Sequence, residues 1–193
     1  MALILASGSP YRRALLQRLQ LPFTWEDPDV DERPYAAESP IETAQRLACA
    51  KAQAVAERHA GEACLVIGSD QVADLDGRVL GKPGSLDAAA AQLRVAAGRT
   101  LLLHTGLCVV SAAAGDSAST VESFAVRLRS LDSAAIDRYL AVEQPLDAAG
   151  SFYAESYGIV LFESFDGRDP NALIGLPLMA LVDLLATFGV QLP

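Results

Sequence analysis

Short apolar runs alternate along this chain with longer stretches in which apolar residues recur every three or four positions. Residues 3–6 (LILA) predict a buried strand, and residues 10–19 predict a helix after the polar turn Ser7-Gly8-Ser9. A short strand is predicted at 23–26. Residues 27–39 hold Pro28, Pro34 and many acids, and read as a loop. The next helix has the clearest start in the chain. Ser39 can cap it, Pro40 suits the first helical position and Glu42 completes a capping box, so a helix is predicted to Arg58. Leu65-Val66-Ile67 reads as a strand buried on both faces, ending at Gly68-Ser69-Asp70. Asp76-Gly77 predicts a hairpin turn between arms at 72–75 and 78–80. Residues 85–97 predict an alanine-rich helix closed by Gly98. Two long strands follow at 100–112 and 120–129, joined across 113–119. Asp132 caps a helix to Val142, residues 159–163 predict a strand, and 177–188 predict a last amphipathic helix stopped by Gly189. There is no internal repeat and no long linker. Mixed strands and helices in this order predict one α/β or α+β sheet domain over residues 1–193 rather than a helical bundle.

Composition narrows the partners. Of 193 residues, 51% are hydrophobic, enough for a sizeable core, yet no apolar run approaches the roughly 18–20 residues of a membrane span. The start of the chain lacks the basic flank and unbroken apolar segment of a signal peptide, so a cytoplasmic protein without a membrane partner is expected. The net charge is −9, with no long basic stretch, which argues against a general nucleic-acid binder. An acidic protein can still bind an anion, but it must gather its few cations locally. Cys49, Cys64 and Cys108 are widely spaced and show no zinc-like spacing with His, so reduced thiols are expected. His59 and His104 read as structural or surface residues.

The cations are the informative charges. Arg12 and Arg13 occupy the first turn of a helix, where the backbone already carries partial positive charge. Either they point to water and pair with the acids of 27–32, or they and the free N–H groups of the helix start cradle an external anion. On a helical wheel at 100° per residue, Lys51 falls at the centre of the stripe Ala44, Leu47, Ala48 and Val55. It either snorkels to the surface or marks a helix face that lines a polar cleft. Lys82 is held in the turn Gly81-Lys82-Pro83. Asp70 follows the strand 65–67 immediately, and Ser7 follows the first strand in the same way. In open α/β sheets ligands sit outside the carboxyl ends of strands. Glu32, in the acidic loop, is a candidate second carboxylate, and two carboxylates facing phosphates suggest a hydrated divalent cation.

SGSPYRR, DVDE, the lysine-bearing helix, IGSDQV and GKP occur in that order, and the likeness extends through GRDPNALIGLPL at 167–178. Together they resemble the Maf family of nucleoside triphosphate pyrophosphatases. The chain is most similar to the YceF-type branch, which resembles 7-methyl-GTP pyrophosphatase. The cues are Tyr11, Gln71, and Glu155 in GSFYAESYG. That branch commonly has Trp where this chain has Tyr11, so the stacking surface here is smaller. The resemblance implies a mixed, twisted central sheet flanked by helices, two lobes with an active-site cleft between them, and usually a homodimer. It implies Asp70 as general base, acting directly on water or through the metal. It places Ser7, Arg12, Arg13, Lys51 and Lys82 around the triphosphate. Glu32 and Asp70 would hold a divalent cation (Mg2+, Mn2+ or Co2+), and Tyr11, Gln71 and Glu155 would set base preference. Two other functions stay open: a broader pyrophosphatase acting on dTTP or UTP, as in the other Maf branch, and a nucleotide-binding regulator of cell division. No phosphate-binding GxxxxGK[ST] loop is present.

Overall fold

The computed structural model describes residues 2–35 and 37–192. Its seven strands are β1 (Ala2–Ala6), β2 (Phe23–Glu26), β3 (Cys64–Leu75), β4 (Arg78–Leu80), β5 (Thr100–Ser111), β6 (Ser117–Leu128) and β7 (Phe162–Asp166). They form one mixed sheet in the order β2-β1-β3-β5-β6-β7, with β4 paired to β3. β1 is parallel to both its neighbours, and the remaining pairs are antiparallel. The helices are α1 (Pro10–Gln17), α2 (Pro40–Arg58), α3 (Leu86–Ala96), α4 (Ser133–Val142), α5 (Pro170–Ile174) and α6 (Leu178–Thr187).

Alternation along the strands sends successive side chains to opposite faces. Leu3, Leu5, Leu65, Ile67 and Leu107 pack on one face against Leu15 and Leu16 of α1 and Leu181 and Leu185 of α6. Ile4, Ala6, Val66 and Val110 pack on the other against Ala48, Ala52 and Val55 of α2. The far halves of β3 and β5 belong to a separate cluster, with Ala73, Leu75, Leu101 and Leu103 against Leu93 of α3, Ile136 and Tyr139 of α4, and Phe152. β3 and β5 therefore run from one core region into the other.

Three expectations change. Residues 65–67 and 72–75 are not two strands. They belong to one twelve-residue β3, because β5 pairs with it from Leu65↔Ser111 to Asp74↔Leu102. Asp70 is therefore inside a strand and not beyond its end. What ends nearby is β1, whose last residue Ala6 faces Gly68, while β4 joins β3 only from Ala73. Between those points one side of β3 has no strand partner among the described residues, and Asp70 lies in that notch. The strand expected at 159–163 is β7, Phe162–Asp166, preceded by a 3-10 turn at Tyr157–Leu161. The short α5 was missed. Asp169 caps it and Gly175, at φ 113, ends it in the left-handed region open to glycine.

Candidate active site

The end of β1 and the start of α1 form one rim of a cleft of about 610 Å³. Ser7 is buried there, and its Oγ accepts from the Ser9 N–H at 3.2 Å. Ser9 caps α1 by accepting from the Arg12 N–H at 3.4 Å, with Pro10 in the first turn. Arg12 turns into the cleft wall. Its Nε donates to the Gly175 carbonyl at 2.8 Å, and that carbonyl also accepts from Ser69 Oγ at 2.9 Å. Burial pulls the Arg12 guanidinium below its ordinary range, opposed by the charges of Asp70 and Glu32.

The opposite wall is α2. Its capping box forms as the sequence predicts, with Ser39 and Glu42 bonded reciprocally. The helix lies unusually close to the sheet. A Cβ at Gly68 would stand 2.2 Å from the Ala48 carbonyl oxygen, and one at Gly106 would stand 2.1 Å from that of Ala44. This approach carries Lys51, 5% exposed, over the notch. Its Nζ donates to Asp70 Oδ1 at 2.5 Å and lies 2.6 Å from Glu32 Oε1. Lys82 Nζ lies 3.6 Å from Glu32 Oε2. The Lys82 turn is held from behind by Gln92, whose Nε2 donates to the Gly81 carbonyl at 3.0 Å. Burial pushes the Glu32 carboxyl up, but the Lys51 hydrogen bond and the charges of Lys51, Lys82 and Arg12 outweigh it, and the net shift is downward.

The far end of the cleft is aromatic and acidic. Tyr11 and Tyr153 have ring centroids 5.8 Å apart at 33°, and the Tyr153 hydroxyl donates to Asp147. Glu155 lines the same end. Burial raises the Glu155 carboxyl, with a further push from Glu143. The Tyr11 phenol is also raised, by burial and then by Glu155, Asp147 and Glu143. Gln71 lies between the two ends. Its amide Nε2 donates to the Ala172 carbonyl at 2.7 Å, to Thr105 Oγ1 at 3.1 Å and to the Leu173 carbonyl at 3.2 Å.

The fold thus brings Ser7, Tyr11, Arg12, Glu32, Lys51, Asp70, Gln71, Lys82 and Glu155 to one cleft. It does not bring Arg13, whose guanidinium sits 4.7 Å over the Trp25 ring of β2, outside the cleft lining. Sequence reasoning missed Tyr153, Asp147 and the Gly175 carbonyl. GSFYAESYG pointed to Glu155, and the tyrosine two residues earlier was the available signal for Tyr153. The Gly175 carbonyl had no such signal, because its position depends on buried Asp169. That carboxylate accepts from the Asn171 N–H at 2.9 Å and the Met179 N–H at 2.8 Å, tying α5 to α6.

Asp70 and Glu32 offer hard oxygen donors of the kind that suit a hydrated divalent cation beside phosphate. In this arrangement Lys51 holds one oxygen of each. No hydrogen bond from the described residues reaches Asp70 Oδ2.

A 7-methyl-GTP pyrophosphatase of Alcanivorax borkumensis is 50% identical over 191 residues, covering 99% of this chain and 96% of that protein. A protein of the same name from Pseudomonas syringae pv. tomato is 48% identical over 192 residues, covering 100% and 99%. Among solved structures, the Staphylococcus aureus Ham1 protein matches 66% of this chain and 72% of its own at 14% identity and a TM-score of 0.46, a likeness too distant to carry an argument. The family model described as Maf-like protein matches residues 2–188, and the chain belongs to the Maf family.

Proposed function

We propose that this chain hydrolyses 7-methyl-GTP to 7-methyl-GMP and pyrophosphate. One observation carries the reading: a cluster of cations and carboxylates and a patch of aromatic and acidic side chains open into the same cleft. The substrate has the same polarity, with a triphosphate of about four negative charges at one end and a cationic base at the other.

Arg12, Lys51 and Lys82 hold the phosphates, with Ser7 and the start of α1 beside them. Water attacks the α-phosphorus, the bond to the bridging oxygen breaks, and pyrophosphate leaves with the electron pair. Asp70 accepts the water proton at Oδ2 while Lys51, bonded to Oδ1, fixes the carboxylate's direction. Glu32 and Asp70 would hold Mg2+, Mn2+ or Co2+, which supplies neutralising charge on the phosphate oxygens. Methylation at N7 makes guanine a cation, which Tyr11 and Tyr153 attract through their ring faces, worth about 0.5–2 kcal/mol. Glu155 accepts from the N1–H and 2-amino edge. Gln71 lines the cleft between its two ends and fixes α5 behind it.

The test is a panel of 7-methyl-GTP, GTP, dTTP and UTP with each cation, scored for pyrophosphate release. 7-Methyl-GTP is the expected best substrate, and a preference for dTTP or UTP would place the chain in the broader branch. Asp70→Asn should keep the melting profile and lose about 10²–10⁴-fold in kcat. Unchanged turnover in that folded variant removes Asp70 from the mechanism.

The expected homodimer is part of this reading, supported by the exposed apolar residues Val142, Ile159 and Val160, with sedimentation of Val142→Glu as its test. The three free thiols accord with a cytoplasmic location. No helix of the described residues is long and apolar enough to cross a membrane.

A further inference from the structure

Among the described residues, the one place where three metal-donor side chains converge is outside the cleft, at the turn from α2 to β3. His59 is the C-cap of α2, and Gly61, at φ 85, reverses the chain. The Glu62 N–H donates to the His59 carbonyl at 2.9 Å, and the Cys64 N–H donates to the Glu62 carbonyl at 2.8 Å, so the backbone presenting the three side chains is fixed. One ligand atom from each of His59, Glu62 and Cys64 lies within 4.8 Å of the other two. Cys64, 3% exposed, is the floor of the cluster and Glu62 is its mouth.

The two ring nitrogens of His59 face different carboxylates. Nε2 lies 2.6 Å from Glu26 Oε1, and Nδ1 lies 3.1 Å from Glu62 Oε2. With Nε2–H donating to Glu26, Nδ1 is left as a bare acceptor facing a second acceptor. Something positive must stand between them, either a proton or a metal ion. A proton needs no third donor, whereas a metal ion can also use the Cys64 sulfur, which lies within 4.8 Å of both. Tetrahedral zinc bonds of about 2.0–2.3 Å put neighbouring ligand atoms roughly 3.3–3.8 Å apart. The His59 Nδ1–Glu62 Oε2 separation of 3.1 Å is already near this, and the Cys64 sulfur has to come in from within 4.8 Å. The carboxylate behind the ring matches the carboxylate–histidine–metal arrangement that fixes the tautomer in many zinc sites.

We propose that His59, Glu62 and Cys64 bind one zinc-class divalent ion, with Glu26 orienting the His59 ring and water completing the shell. On binding, the Cys64 thiol and His59 Nδ1 give up their protons to solvent. The mixed nitrogen, oxygen and sulfur donors separate this site from the all-oxygen pair Glu32 and Asp70, which favours harder ions. An ion here would pin the end of α2, the helix that carries Lys51, to β2 and β3. Arg58, 3.5 Å from Glu26, is the competing cation.

The experiment uses the full chain, stripped of metal and then saturated with Mg2+ so that oxygen sites are filled. Co2+ is titrated as a spectroscopic probe, followed by Zn2+ in competition. The expected result is one equivalent of Co2+ with a thiolate charge-transfer band in the near ultraviolet, displaced by one equivalent of Zn2+. Cys64→Ser should abolish the band, and Cys49→Ser should retain it. His59→Gln and the exposed Glu62→Gln, which put no demand on the core, should weaken Co2+ binding about 10–100-fold. A band absent from the wild type, or unchanged in Cys64→Ser or His59→Gln, overturns the proposal. So does an NMR titration in which added Zn2+ leaves a protonated His59 unperturbed.

Discussion

Arg12 and Arg13 are neighbours in sequence and part company in space. A step of 100° around α1 leaves Arg12 against the Gly175 carbonyl and Arg13 over Trp25. Arg12→Ala should raise KM for the triphosphate at least tenfold. Arg13→Ala should leave KM within about twofold and cost roughly 0.5–1 kcal/mol of stability, the usual worth of an exposed cation–aromatic contact. Steady-state kinetics and urea melts of both variants check this. Lys51 was legible because a charge at the centre of an apolar stripe demands a partner. Arg13 was not, because a wheel orders the faces of a helix without saying which of them meets the sheet. Glu155 yields a second prediction. Burial raises its pKa, so it takes up a proton at a higher pH than an exposed glutamate. As pH falls through that raised value the charge facing the base disappears. KM for 7-methyl-GTP should then climb while KM for GTP moves less, and in Glu155→Gln the difference should vanish. Parallel pH profiles for both nucleotides in the wild type would remove the charge from the account of selectivity.

Among elements, α2 and β3 set the geometry of the site. The start of α2 was readable from Ser39, Pro40 and Glu42, because a capping box is a local device. The length of β3 was not readable, because Gly68-Ser69-Asp70 looks like a strand end until β5 pairs across it. Gly68 and Gly106 sit on neighbouring strands, and each leaves room for the backbone of α2. Gly68→Ala and Gly106→Ala should each cost about 1–3 kcal/mol, the range for overpacking a filled core, because the added carbon meets rigid backbone. If the helix moves away from the sheet to relieve the clash, it draws Lys51 from Asp70. Both variants should therefore lose kcat under conditions where they remain folded. Full activity in a destabilised Gly68→Ala would mean that the helix approach serves packing alone.

In the molecule as a whole, the cleft draws on the end of β1, the acidic loop, α2, the notch in β3, the turn after β4 and the 147–155 segment. Without phosphate, Glu32 and Asp70 supply the negative charge that Lys51 meets. A non-hydrolysable 7-methyl-GTP analogue at 100 times its Kd should stabilise the fold by about 2.7 kcal/mol. Calorimetry should show this as a concentration-dependent rise in Tm, and that rise should shrink in Lys82→Ala. No rise at saturating analogue would mean that the cleft does not bind the nucleotide. Local order carried the strands at 3–6 and 23–26, the hairpin turn, the helix caps and the inward lysine, since hydrogen bonds and side-chain alternation within a few residues decide them. The ordered motifs carried the family. Assembly alone decided that Asp70 sits inside a strand, that Arg13 faces away, that Tyr153 joins Tyr11, and that Glu26 stands behind His59. Each of those depends on strand pairing or helix approach between segments far apart in the chain, and no spacing along a single chain encodes the direction from which a distant partner arrives.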